Sequence, residues 1–109
     1  MLTARFEEAR GALIVTPFVR HLDAEAALEL RRLVGERARG RSLLVISLEH
    51  VEQVDCSGLA GIVCVLKRMP PGGELRLAGL GRSARELLAA TRLDRVFPVF
   101  EDPAAALPP

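Results

Sequence analysis

One stretch constrains the fold more than any other. The run Leu43-Leu44-Val45-Ile46-Ser47-Leu48 is almost wholly apolar, and apolar residues then recur at helical spacing at Leu59, Ile62, Val63 and Leu66. A strand that does not alternate is covered on both faces. The second face of the following helix is Ala60, Gly61, Cys64 and Val65, small or apolar, so the helix is buried nearly all round. Buried strand, loop and buried helix, in that order, are the repeating unit of an α/β layer. The loop closes with Asp55-Cys56-Ser57-Gly58-Leu59, and the helix begins at or next to Ser57 and runs to about Arg68. Pro70-Pro71-Gly72-Gly73 stops it.

The rest of the chain fits the same plan. Leu2, Ala4 and Phe6 alternate with polar residues and predict a first half-buried strand. Ala9-Arg10-Gly11 reads as a turn, and Ala12–Thr16 as a second, more buried strand that Pro17 ends. The pattern over Pro17–Leu22 is compatible with a loop or a ragged strand. Asp23 is a good N-cap for a helix from about Ala24 to Ala38, with Ala27, Leu30, Leu33 and Val34 inward and Glu25, Glu29, Arg32 and Glu36 outward. Glu49–Val54 reads as a short connection. Glu74–Ala78 alternates as a strand. Ser83 and Glu86 have capping-box spacing for a helix to about Thr91. Val96–Phe100 predicts a last strand, which Pro98 sends to a sheet edge, and Asp102-Pro103 opens a final helical turn. The expectation is therefore a single α/β domain over residues 2–107, with 108–109 as a frayed end. Its sheet is mixed but mostly parallel, of about five strands, with helices packed against it. Loops that follow strands in such folds gather at one sheet edge, where sites form. That places the Arg20–Asp23 and Asp55–Ser57 loops side by side if their strands are neighbours.

Composition removes several function classes. With 15 basic and 14 acidic residues the net charge is +1, so there is no basic footprint for nucleic acid and no polybasic membrane patch. No apolar run reaches the ~18–20 residues of a membrane span. The first ten residues already carry Arg5, Glu7, Glu8 and Arg10, unlike a secretory signal. Cys56 and Cys64 lack CxxC spacing and suit a reduced, cytoplasmic protein better than a disulfide or zinc framework. Metal-ligand spacing and a phosphate-binding glycine loop are both missing, so no cofactor is expected.

A hydrolase needs a base within reach of its serine. The histidines are His21 and His50, and His21 could approach Ser57 across the loop edge. The context Asp-Cys-Ser-Gly is not a G-x-S-x-G elbow, however. Two readings of Ser57 remain. It is a plain helix cap, satisfying backbone N–H groups, or it accepts a phosphoryl group at a helix N-terminus that tolerates negative charge.

The motif Asp55-Cys56-Ser57-Gly58-Leu59 resembles the D-[ST]-[ST]-G-[LIV] signature of the STAS domain family, the bacterial anti-sigma-factor antagonists. Leu22-Asp23 opening the first helix, and the Gly72-Gly73, strand, helix and Leu93/Val96/Phe97 ending, are similar as well. The resemblance covers nearly the whole chain. It implies a non-enzymatic switch. The unphosphorylated domain would bind an anti-sigma factor that is also a serine kinase of the histidine-kinase-like ATPase type, releasing a sigma factor. Phosphorylation of Ser57 would end the complex, and a metal-dependent serine phosphatase would reset it. The resemblance implies Asp55 as the residue that orients the loop and Asp23 as its neighbour. Gly58 would let the kinase approach closely, and Cys56 and Leu59 complete the implied partner-binding set. Cys56 departs from the family's Ser/Thr, which leaves Ser57 as the one hydroxyl in the loop. The alternative is a STAS scaffold that is never phosphorylated, docking in a stress-signalling or transporter-associated assembly. Nothing in the sequence separates a monomer from a weak dimer.

Overall fold

A computed structural model describes residues 2–109. Strand β1 (Ala4–Ala9) and strand β2 (Ala12–Pro17) form an antiparallel hairpin. Its two-residue turn has positive φ at Arg10 (50°) and Gly11 (81°), the combination whose twist matches paired strands. After β2 come β3 (His21–Leu22), α1 (Ala24–Arg37), β4 (Leu43–Ser47), β5 (Gln53–Val54), α2 (Cys56–Lys67), β6 (Glu74–Ala78), α3 (Arg82–Thr91), a 3-10 turn (Leu93–Arg95) and β7 (Val99–Phe100). The main sheet has five strands in the order β1-β2-β4-β6-β7, and every pairing after the hairpin is parallel. This is the expected mixed, mostly parallel α/β sheet.

The alternating faces of the strands make two cores. Leu13, Val15, Leu44, Ile46, Leu75 and Leu77 pack with Leu30 and Val34 of α1, Ile62 and Val65 of α2, and Leu88 of α3. The opposite face holds Ala12, Ile14, Val45 and Ala78, covered by Ala106 and flanked by Leu107 and Phe100. β4 is thus buried on both sides, as its unbroken apolar run requires. Asp102 accepts a hydrogen bond from Ala105 N (2.8 Å) and starts the single turn that carries Ala106 inward. Arg76 donates to Ala106 O at 2.7 Å and holds that turn on the sheet. At residues 108–109, where a frayed end was expected, Pro108 O accepts from Arg10 at 3.1 Å.

Three local expectations are corrected. Glu49–Val54 is not a bare connection: its end is β5, which pairs in parallel with β3 as a separate two-stranded sheet (His21↔Gln53, Leu22↔Val54). The same pairing settles the Pro17–Leu22 segment, whose last two residues are strand. The Ser83–Glu86 capping box does not form. Gly81 is the N-cap of α3, without a side-chain bond, and Ser83 Oγ instead accepts from Val54 N at 3.0 Å. The last strand is shorter than Val96–Phe100. Val96 N and Phe97 N both donate to Leu93 O, closing the 3-10 turn and burying Phe97 completely. β7 does lie at the sheet edge.

Candidate functional site at the paired helix starts

The β3–β5 ribbon fixes the site. Leu22 is in register with Val54, so the next residues, Asp23 and Asp55, occupy equivalent places, each at the start of a helix. Asp23 accepts from Ala26 N at 2.9 Å and caps α1. Asp55 accepts from Gly58 N at 2.8 Å and caps α2. Two helix N-termini, each with partial positive charge, therefore open at the same edge of the fold. The two loops expected to be neighbours are neighbours, and Asp55 N donates to Leu22 O across the gap (3.3 Å).

Ser57 does not cap the helix. The helix begins one residue earlier, at Cys56, with Asp55 as its cap. Ser57 lies in the first turn, exposed, and its hydroxyl donates to Asp55 Oδ1 at 2.6 Å. The same oxygen takes the Gly58 amide. These bonds favour the charged carboxylate. The Ser57 hydroxyl has the largest effect and the Gly58 amide the next, with His21 adding a smaller electrostatic pull, and together they hold Asp55 below its ordinary value. Among the described residues, neither His21 nor His50 hydrogen-bonds Ser57, so no serine–histidine pair is assembled.

The remaining motif residues divide by burial. Cys56 is exposed beside Ser57, whereas Gly58 and Leu59 are buried. A Cβ on Gly58 would stand 1.9 Å from Leu22 O and 2.7 Å from Leu22 C, so only glycine lets α2 start against β3. The glycine that the resemblance assigned to kinase approach is thus demanded by the chain's own packing. Leu59 is 4% exposed and belongs to the core. One turn further along, a Cβ on Gly61 would meet Ala27 Cβ at 2.3 Å, which shows how closely α1 and α2 cross.

Several surface neighbours escaped the sequence reading. Phe18 is 46% exposed and lies 5.0 Å, centroid to centroid, from the His50 ring. Arg20 and Glu52 pair at 2.8 Å on the outer side of the ribbon. The outer face of α2 forms a shallow, mainly apolar groove leading away from Ser57, lined by Cys56, Ala60, Val63 and Cys64 and closed by Leu93. The small, apolar second face of α2 led to the expectation of a helix buried nearly all round, and that expectation is corrected: Cys56 and Ala60 are exposed, and Val63 and Cys64 are only half-buried. No helix among the described residues is long and apolar enough to cross a membrane.

Comparison with known proteins agrees with this architecture. The STAS domain family model matches residues 4–106. No curated protein sequence matches significantly. The fold superposes on an anti-sigma factor antagonist from Mycobacterium paratuberculosis with a TM-score of 0.85 at 23% identity, covering 97% of this chain and 91% of the other. The Thermotoga maritima protein TM1081 gives 0.82 at 23% identity, covering 93% and 88%. The anti-sigma factor antagonist SpoIIAA in its unphosphorylated form gives 0.73 at 15% identity, covering 89% and 87%. At these identities the likeness concerns the fold, and the match over residues 4–106 supplies the family: the chain belongs to the STAS domain family.

Proposed function

We propose that this domain is an anti-sigma-factor antagonist whose Ser57 is the phosphoryl acceptor of a partner switch. The observation that carries this reading is the division of labour between Asp55 and Ser57. Asp55 makes the capping bond to the Gly58 amide, so the exposed Ser57 hydroxyl, which among the described residues donates only to Asp55, is not itself a cap of α2. In the unphosphorylated state the edge formed by Asp23, Asp55, Cys56 and Ser57, with the apolar groove along α2, docks an anti-sigma factor that is also a serine kinase. That kinase transfers the terminal phosphoryl group of ATP to Ser57 Oγ. The new O–P bond replaces the O–H bond, ADP leaves, and the hydroxyl proton is released.

Phosphorylation changes the edge in two ways. It adds about −1.5 to −2 charges, which the two adjacent helix starts accommodate. It also removes the hydroxyl hydrogen that Asp55 accepts, so an oxygen-to-oxygen contact of 2.6 Å becomes a repulsion between anions. The side chains must move apart, and a partner seated there meets displaced negative charge that it has to desolvate. A serine phosphatase completes the cycle.

The test is intact-mass spectrometry of the domain after incubation with ATP and the host's candidate anti-sigma kinases. The proposal expects one phosphoryl group on the wild type and none on Ser57→Ala. No gain with any kinase of that class, or an undiminished gain on Ser57→Ala, would sink it.

A further inference from the structure

At the far end of α1 and α2 from Ser57 lies a half-open cavity of about 290 Å³. Its apolar wall includes Val65 and Met69, and three arginines reach it: Arg31, Arg39 and Arg68. No carboxylate lines it, and among the described residues none of the three arginines makes an ion pair. Arg31 Nε is buried without a hydrogen-bond partner, although buried polar groups are ordinarily satisfied. Arg31 and Arg68 also line the neighbouring depression, whose carboxylates are Glu25 and Glu29. Glu29 is engaged by Arg32 (3.8 Å) and by the Leu2 amide, and among the described residues neither carboxylate pairs with Arg31 or Arg68.

Helix ends do not account for this charge. The C-termini of α1 and α2 each contribute about half a negative charge, against three full positive ones. Arg31 lies in the middle of α1, away from its end.

The second observation is Gly35. It lies inside α1, where glycine destabilises a helix relative to alanine. Gly58 and Gly61 have backbones or side chains pressed against them, but a Cβ on Gly35 would meet nothing within 4 Å. No contact within the chain demands a glycine there. Gly35 is exposed and lines the cavity, so a side chain there would enter open space.

We infer that this cavity binds a small single-chain amphiphilic anion, a carboxylate or phosphate head held by Arg31, Arg39 and Arg68 and an alkyl body lying along Val65 and Met69 past Gly35. Guanidinium groups hold such heads through paired N–H bonds. The volume is at the small end of the ~300–1,000 Å³ typical of ligand pockets. No aromatic ring lines the cavity, so it lacks the stacking surface that a nucleobase would use.

The test is isothermal titration of the intact domain with decyl phosphate below its micelle concentration, beside inorganic phosphate and decanol as half-ligands. The inference expects saturable one-to-one binding of decyl phosphate and at least tenfold weaker binding of either half. Arg68→Gln, an exposed and unpaired position, should weaken binding about tenfold. Gly35→Leu should abolish it while raising Tm, because the new side chain fills the cavity and strengthens the helix. A stabilising substitution that destroys binding separates a ligand site from a folding defect. The inference is overturned if decyl phosphate does not bind, or if it binds Gly35→Leu as well as wild type. Binding to phosphatidylglycerol vesicles alone, without binding of the monomeric amphiphile, would also overturn it and identify a membrane-surface patch instead.

Discussion

Ser57 Oγ and the Gly58 amide share one acceptor, Asp55 Oδ1, at 2.6 and 2.8 Å. The cap of α2 and the exposed hydroxyl are thereby joined in one hydrogen-bonded unit, with the carboxylate doing the capping. Ser57→Ala should therefore cost less stability than Asp55→Ala, because it removes an exposed hydroxyl bond and not the cap. Asp55→Ala should lower the urea midpoint clearly, and Asp55→Asn, which can still cap, should lie between them. Urea titrations of the three variants check this order. Equal losses for Ser57→Ala and Asp55→Ala would contradict the assignment of the cap.

The same unit predicts a pH response. Asp55 titrates below its ordinary aspartate value in the folded state because two donors favour its charged form. A depressed carboxyl adds stability above its unfolded value of about 3.9, and that contribution disappears as pH falls through the lower folded value. The stability difference between wild type and Asp55→Asn should thus be constant above about pH 5 and shrink below pH 4. Because the Ser57 hydroxyl is the largest cause, Ser57→Ala should move the Asp55 midpoint upward in an NMR titration. An unchanged midpoint would show that the bond does not persist in solution.

Glycine packing at the start of α2 gives a stronger effect. In Gly58→Ala the methyl group meets the Leu22 carbonyl, which is backbone and cannot rotate away. Overpacking of this kind costs about 1–3 kcal/mol, and the 1.9 Å approach puts the expectation at the upper end, about 3 kcal/mol by urea denaturation. Gly61→Ala collides with Ala27 Cβ, a side chain, so Ala27→Gly should partly rescue it in a double-mutant cycle.

Ser83 predicts a tertiary, not a helical, defect. Its hydroxyl accepts the Val54 amide, so Ser83→Ala leaves that β5 N–H unpaired at a cost of about 1–3 kcal/mol. Hydrogen exchange should accelerate at Val54 more than in the first turn of α3. Faster exchange confined to α3 would restore the capping-box reading.

Much of this arrangement was legible in the chain. The unbroken Leu43–Leu48 run announced a strand covered on both faces, and Asp23 announced the start of α1, because both signals are local. What escaped was decided by long-range partners. β5 is two residues long and carries no period of its own; its existence depends on β3. Ser83 and Glu86 have a cap's spacing, but the Val54 amide claims the serine. Ser57 sits where a cap could sit, yet the carboxylate two residues earlier reaches the Gly58 amide. Gly58 looked like a concession to a partner, and Leu22 shows that the chain itself requires it. The cavity beside Gly35 left no trace in the pattern, since a helical glycine with space around it looks the same in sequence as one under pressure.

The most direct measurement is the affinity of the cognate anti-sigma kinase for this domain before and after phosphorylation, by titration calorimetry with the non-hydrolysed nucleotide present throughout. The account predicts that phosphorylated Ser57 weakens binding about 5–150-fold, corresponding to a coupling of about 1–3 kcal/mol, while the circular dichroism spectrum and Tm stay close to those of the unmodified domain. Equal affinity of the two forms would contradict it.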